Sequence, residues 1–456
     1  MGVRKRFSKS LMTTWFREID VIDDDNIPSD RGSVFVSWHS GGLFDKMLTQ
    51  NLLNVELVYF DGNLDEQDEL EQVASAVSSG KSVVVFPEGE SHDSPRAIDV
   101  KDCAARIALR AKELSQGFPP VVIPIGIHYS QRFRFRERVA LTIERPIEIS
   151  GSVDELSAVI AGEISRASLS SDEWKDRELI WKARSIIHAE RVRRDPDLEL
   201  RTSYGEGVIG ARRVRAAWEW LAIEDPDKCK SLESRTRTHM SEIRNLGLEP
   251  RHIDARPESV TLRGFINSIW WWLFAWSFML GFVTWSAMLG SILPYALTTL
   301  VDRKIGCRMD SAKRGAFKLH TAFVLYPIWW LITASLFTWV LVSDQSPIAF
   351  LAKYSLTIDF LFSIPAFAIF PIMIWWMPTS AKLQIKLYTK GTLAWRRMRL
   401  WVKWRDRSLD WDALVSSQRK LAADLVAIGD NLILPGDQGW IDPEPGKDDH
   451  TMVKIR

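Results

Sequence analysis

Cysteine is scarce, with three in 456 residues, Cys103, Cys229 and Cys307, odd in number and far apart. There is no Cys-x-x-Cys pair and no histidine close enough to complete a zinc site. The sequence therefore offers neither a disulfide framework nor a metal site, and a reducing compartment is expected. Net charge is nearly absent too. With 59 basic against 58 acidic side chains the formal charge is +1, so the molecule as a whole carries no nucleic-acid footprint. The opening MGVRKRFSKSLMTTWF lacks the apolar core and small-residue cleavage site of a secretory signal, and Gly2 followed by Ser8 lacks the spacing of a myristoylation signal. The front of the chain is thus expected in the cytoplasm. Arg4, Lys5, Arg6 and Lys9 beside Leu11, Trp15 and Phe16 read as a basic amphipathic helix, either on a bilayer surface or packed on the globule.

What is present is 46% hydrophobic residues, enough for a soluble globule plus membrane-embedded sequence. From Ser33 to about Ile149, short apolar runs alternate with amphipathic stretches, the pattern of an α/β domain. Candidate strands are SVFVSW, VELVYF, SVVVFP, VVIPIGI and RVALTIE; candidate helices between them are LFDKMLTQNLL, LDEQDELEQVASAVSSG and VKDCAARIALRAKELSQ. Continuous β-branched runs such as Val83 to Val85 indicate strands covered on both faces, hence a mixed sheet flanked by helices. Residues 151–262 are polar and helical, with tryptophans at 174, 181, 218 and 220; they read as a helical connector without assigned chemistry.

After Arg263 the composition changes abruptly. An uncharged stretch, GFINSIWWWLFAWSFMLGFVTWSAMLGSILPYAL, is long enough to cross a hydrocarbon core, and two further apolar spans follow at Leu319 to Val342 and Ala349 to Met377. The last of these holds Asp359, Pro365 and Pro371. Tryptophans 270, 271, 272, 329, 330, 375 and 376 cluster near span ends, as interface-seeking rings do. Arg303, Lys304, Arg308, Lys313, Arg314 and Lys318, and the more basic tail after 380, favour the cytoplasmic side, so two true crossings are expected, with residues 264–300 entering and returning near Gly281, Gly290 or Pro294. Three simple crossings are the alternative. The tail motif WRRMRLWVKWRDR is read as attraction to anionic headgroups rather than as nucleic-acid binding, and the acidic end from Pro435 as disordered. The expected division is a domain at 1–150, the connector at 151–262, membrane-embedded helices at 263–378, and a basic helical cytoplasmic tail with a disordered end at 379–456.

Two motifs carry chemistry. In SVFVSWHSGGLFDK, His39 follows an apolar strand, a small Ser-Gly-Gly turn comes next, and Asp45 falls in the first turns of a helix. A carboxylate on one imidazole nitrogen fixes the tautomer and leaves the other nitrogen to take a proton from a hydroxyl, a general-base dyad. Either residue alone is often structural. The second motif, VVVFPEGESHDSP, runs a buried strand into Phe86, Pro87, Glu88 and Gly89. Ser91, His92 and Asp93 are consecutive and do not converge as a hydrolase triad.

A His and an Asp a few residues apart, then Phe-Pro-Glu-Gly after a strand, then the apolar strand VVIPIGIHY with its central Pro, together resemble the glycerol-3-phosphate and lysophosphatidic acid acyltransferase superfamily over residues 10 to 150. Five residues between His39 and Asp45, and the Phe86 to Asp93 stretch, are similar to the glycerol-3-phosphate acyltransferase-like branch. The resemblance implies an α/β acyltransferase domain, His39 and Asp45 as catalytic residues, and no metal or bound cofactor. It implies an acyl thioester of coenzyme A or acyl carrier protein as donor and glycerol 3-phosphate as acceptor, with membrane lipids around it. It also implies that Glu88 and Gly89 shape the acceptor pocket and that Lys101, with Arg96, holds phosphate. Two features depart from the family. His39-Ser40-Gly41 stands where the family has His-Pro-Asn, and VYFDGNLDEQDE lacks the family's phosphate-binding Arg. The alternatives are acylation of a lysophospholipid such as 1-acylglycerol 3-phosphate, and a non-catalytic membrane adaptor that keeps the fold.

Overall fold

The computed structural model describes all residues except 1–11, 14, 59–66, 90, 93, 131–135, 172, 196, 200, 254–260, 281, 310, 343–364 and 448. The basic residues of the expected N-terminal helix, most of the VYFDGNLDEQDE segment, Asp93, Gly281 and Asp359 lie outside the described residues, and Phe16, read as part of that helix, instead opens the first strand. The chain divides into two units, one of residues 1–254, 310–313 and 412–456, the other of 255–309 and 314–411.

In the first unit a seven-stranded sheet has the order β1-β6-β5-β2-β4-β3, with β7 paired to β5. The strands are β1 (Phe16–Ile22), β2 (Ser33–Ser37), β3 (Leu57–Val58), β4 (Ser82–Val85), β5 (Val121–Tyr129), β6 (Glu137–Ile143) and β7 (Ile147–Glu148). Pairs β1–β6, β5–β2, β2–β4 and β4–β3 are parallel, whereas β5–β6 and β5–β7 are antiparallel, so the sheet is mixed as expected. All five expected strands form. β1 and β7 are additional: FREIDVI is charged at three of seven positions and is held as the strand parallel to β6. Pro124, in the middle of a buried strand, is tolerated for a local reason. The β5 ladder passes from β7 at Val121 and Val122 to β6 at Ile125 and beyond, so Pro124 falls where neither of those antiparallel ladders needs its missing N–H.

The helices α1 (Leu43–Leu52), α2 (Gln67–Ser78), α3 (Cys103–Leu114) and α4 (Val153–Ala167) belong to the same unit. Val34, Val36, Val83 and Val85 form one core with Val73, Ala104, Ile107, Ile160 and Ile164 of α2, α3 and α4. The core thus extends past residue 150, and α4 is part of the sheet domain rather than of the connector. Helices α5 (Trp174–Arg194), α6 (Tyr204–Glu224) and α7 (Pro226–Leu246) follow, α6 and α7 each started by a side-chain cap, from Ser203 and Asp225.

The acidic end expected to be disordered is ordered. Residues beyond 411 form α12 (Trp411–Asp430) and a small antiparallel pair, β8 (Leu432–Ile433) with β9 (Lys454–Ile455). Arg213 donates to the Pro435 carbonyl at 2.6 Å and to Asp437 at 2.7 Å, Gly446 N–H donates to Glu163 at 2.9 Å, and Val453 is buried beside Leu432 and Ala216. Two of the acidic residues that suggested disorder thus find arginine partners on α6, Asp437 with Arg213 and Asp449 with Arg212.

The second unit holds α8 (Leu262–Leu280), α9 (Phe282–Lys304), α10 (Ser311–Val342) and α11 (Ala366–Arg405). Phe317–Val340 and Ala366–Arg405 are each long and apolar enough to cross a membrane, and the pair Leu262–Phe278 and Val283–Lys304, bent by 61°, passes the same test together. The break falls between Phe278 and Val283, while Gly290 and Pro294 lie inside α9. Pro294 lacks the N–H that would satisfy the Gly290 carbonyl, and Trp330 Nε1–H donates to that carbonyl at 2.9 Å instead. Trp270, Tyr295, Phe367 and Trp375 are more than 60% exposed, as side chains facing lipid would be. No break marks residue 378: one helix, α11, carries the apolar span straight into the basic tail.

Candidate active site

The parallel register of the sheet builds the site. Strand β2 pairs with β4 as Ser33 with Ser82 through Val36 with Val85, an offset that continues past the strand ends to place Glu88 opposite His39. His39 N–H donates to Glu88 Oε2 at 2.7 Å. The other edge of β2 runs beside β5, Ser33 with Val121 through Ser37 with Ile125, and the same continuation sets Tyr129 opposite Gly41. The turns that follow β2 and β4 thus lie side by side at the carboxyl ends of parallel strands, where α/β sheets bind ligands.

His39 and Asp45 meet as expected. After β2 the chain turns through Ser40, Gly41 and Gly42, and Gly42 takes φ 60°, ψ −123° as the residue before α1, a conformation that favours glycine. Asp45 then lies in the first turn of α1, where the helix dipole favours a carboxylate. Its Oδ2 lies 3.0 Å from His39 Nδ1 and accepts the Gly41 N–H at 2.7 Å. Its Oδ1 accepts the Tyr129 hydroxyl at 2.6 Å. A carboxylate so placed takes Nδ1 as a donor and leaves Nε2 with its lone pair. Asp45 is fully buried, His39 is 7% exposed, and the Phe86 ring stacks on the imidazole with centroids 4.5 Å apart.

Glu88 ties the second motif to the first. Besides His39 N–H, it accepts Ile98 N–H at 2.8 Å and faces His92 Nε2 at 2.7 Å, both at Oε1. Since His92 Nδ1 accepts Ser94 N–H at 3.1 Å, Nε2 carries the proton given to Glu88. His92 therefore braces Glu88 and is not part of a triad. Gly89 has φ 76°, and the Lys101 ammonium sits so close that a Cβ on Gly89 would stand 3.0 Å from it. Lys101 N–H also bonds the Pro87 carbonyl at 2.9 Å. Arg96 is exposed on the following loop and, among the described residues, takes no part in the bonds of the dyad.

Sequence reading gave no role to Tyr129, although it closes the quoted strand VVIPIGIHY. It also left the connector without chemistry, yet Trp174 at the start of α5 stacks on Trp38, centroids 6.1 Å apart, and so packs beside the residue preceding His39. The Gly41 N–H, in the turn that follows His39, is engaged by Asp45.

No family model matches the sequence. Over 93 residues, 20% of the chain, it is 32% identical to "Glycerol-3-phosphate O-acyltransferase 2" of Saccharomyces cerevisiae and, over a stretch of the same length, 29% identical to an uncharacterized acyltransferase of Schizosaccharomyces pombe. These matches span only 12% and 14% of the length of those relatives. The crystal structure of the 1-acyl-sn-glycerophosphate acyltransferase of Thermotoga maritima aligns with 36% of this chain and 77% of its own, at 21% identity and a TM-score of 0.30. Over its matched region, this chain is thus similar in sequence to glycerol-3-phosphate and other acyltransferases.

Proposed function

We propose that the sheet domain transfers a fatty acyl group from an acyl thioester, of coenzyme A or acyl carrier protein, to a hydroxyl of glycerol 3-phosphate. The observation that carries this reading is the His39–Asp45 dyad at 3.0 Å, its carboxylate anchored three times and its histidine bound through its own N–H to the Phe-Pro-Glu-Gly turn. His39 Nε2 takes the acceptor proton, the alkoxide attacks the thioester carbonyl, and the tetrahedral intermediate collapses as the same imidazolium returns the proton to the departing thiolate. Asp45 holds the tautomer and stabilises the imidazolium. No covalent enzyme intermediate is required, and no metal or cofactor takes part. Glu88 and Gly89 shape the acceptor side, and Lys101 supplies charge to the phosphate. The apolar helices of the second unit keep the enzyme at a bilayer, where acyl product accumulates, with the sheet domain on the cytoplasmic side.

The test is acyl transfer by detergent-solubilised protein to glycerol 3-phosphate and, separately, to 1-acylglycerol 3-phosphate. Transfer that His39→Ala or Asp45→Asn lowers by about 10²- to 10⁴-fold supports the dyad. Preference for the lysolipid moves the enzyme one acylation later. Equal rates for wild type and His39→Ala would remove the dyad from the mechanism, and no transfer above background by either would leave a membrane adaptor.

A further inference from the structure

Beside the dyad lies a cavity of about 260 Å³ whose lining includes Ser40, Ile127, Tyr129, Trp174, Arg177 and Trp181. Its size is just below the roughly 300–1,000 Å³ of pockets for drug-sized ligands, which suits a small polar molecule. It adjoins the chemistry through two residues: Ser40 follows His39 in the chain, and Tyr129 donates to Asp45.

Arg177, on the first turn of α5, is the one cation among the described residues that line this cavity. Its guanidinium makes no hydrogen bond or ion pair with any described residue, and its noted contact is with the Trp174 ring, 5.8 Å from the centroid. The carboxylate next to it does not compensate it. Glu178, also on the cavity wall, pairs with Lys182 at 3.0 Å and with Arg244 at 3.1 Å. Burial, opposed by Tyr204 and reinforced by Arg215, pulls the Arg177 guanidinium below its ordinary range. A permanently charged fork held among indole rings without a counter-ion is costly to the empty protein, and an anion entering the cavity removes that cost. Aromatic walls also lower the local dielectric, so such an anion is held more strongly than in water. The residues where the family's phosphate-binding Arg would stand have none in this sequence.

We infer that Arg177 binds the phosphate monoester of the acceptor, in a pocket whose floor is the His39 turn and whose wall is the first turn of α5. The planar guanidinium donates two hydrogen bonds to the phosphate oxygens, and the glycerol hydroxyl is directed towards His39. A helix beyond the motif-bearing region thereby supplies the arginine that the motifs lack, in addition to the charge of Lys101. The inference rests on the acyl-transfer reading only for the glycerol part of the ligand; the phosphate site stands on the cavity and its unpaired guanidinium.

Equilibrium dialysis of labelled glycerol 3-phosphate against the full chain in detergent tests it, with inorganic phosphate, glycerol and 1-acylglycerol 3-phosphate as competitors. Expected is competition by phosphate but not by glycerol, and binding weakened about ten- to a hundredfold in Arg177→Gln, with partial recovery in Arg177→Lys. KM for glycerol 3-phosphate then rises far more than kcat falls. Stronger competition by the lysolipid than by phosphate identifies the headgroup of a lipid as the occupant; the reverse identifies the free phosphoester. Unchanged binding in Arg177→Gln, or no phosphate-sensitive binding by wild type, overturns the inference. If Arg177→Gln does not fold, Arg177→Lys decides, because fork recognition requires it to bind more weakly than wild type. Phosphate binding that depends on Arg177 without acyl transfer would refute the enzyme and keep the site. Transfer abolished by His39→Ala with an unaltered KM in Arg177→Gln would do the opposite.

Discussion

The Tyr129 hydroxyl donates to Oδ1 of Asp45 at 2.6 Å from the end of strand β5, which is 84 residues away in the chain. With Gly41 N–H and His39 Nδ1 on Oδ2, the bond fixes the plane of the carboxylate. Gly41 is what permits the approach: a Cβ there would stand 2.3 Å from the Tyr129 hydroxyl and 2.5 Å from Asp45 Oδ1. Gly41, one of the two residues that depart from the His-Pro-Asn pattern, is thus the one that makes room for a tyrosine. Replacing Tyr129 by Phe removes one anchor without opening a cavity. It is expected to lower kcat about tenfold, with a stability loss of about 1–2 kcal/mol, read from initial rates and urea midpoints.

Glu88→Gln is expected to destabilise the domain by about 1.5–3 kcal/mol and to lower transfer as well. The amide keeps one acceptor oxygen where the carboxylate served His39 N–H, Ile98 N–H and His92 with two. Chemical unfolding and rate measurements on the same preparation check both. Loss of stability with undiminished transfer would separate Glu88 from the chemistry.

His128 on β5 gives the stability of the domain an acid dependence. Burial, aided by Arg177 and Arg212, holds its imidazole well below the ordinary value of 6.5, so the folded protein keeps it neutral. Below pH 6.5 the unfolded chain takes up the proton and the folded chain does not, hence stability falls as pH falls through that value, by up to about 1.4 kcal/mol per unit for this one group. His128→Gln should flatten the slope between pH 6.5 and 5. Thermal midpoints across that range measure it, and an unchanged slope would assign the acid sensitivity to other groups.

Arg213 is the clasp of the C-terminal segment through the Pro435 carbonyl and Asp437. Arg213→Ala is expected to make residues 435–456 accessible to limited proteolysis while leaving transfer within about twofold of wild type, since these contacts lie on α6 and not at the dyad. Mass spectrometry of the early fragments reads the first effect.

Much of this was legible locally. The turn HSGGLFD states the dyad because seven residues, two of them glycines, span the end of a strand and the start of a helix, a distance that short-range geometry controls. Five strands and three helices follow from the period of their apolar residues. The abrupt apolar composition after Arg263 marks the membrane helices, because the length of a span is set by the bilayer and not by tertiary partners. What could not be read is pairing. SVFVS, SVVV and VVIPI have similar patterns, and nothing in them states that β2 lies between β4 and β5; that order, with its register, is what sets Glu88 against His39 and Tyr129 against Gly41. β1 was hidden for the same reason, since its strand character comes from lying beside β6.

The sequence by itself determined the local chemistry: a histidine and an aspartate within one turn, a glutamate after a buried strand, and helices long and apolar enough for a bilayer. Tertiary structure alone decided which distant groups complete them. The Tyr129 anchor, the unpaired Arg177 beside the His39 turn and the clasped C-terminal segment all depend on side chains that are dozens to hundreds of residues apart in the chain. Such contacts depend on the packing of whole elements, which burial and charge compensation select, and no short window of sequence contains them.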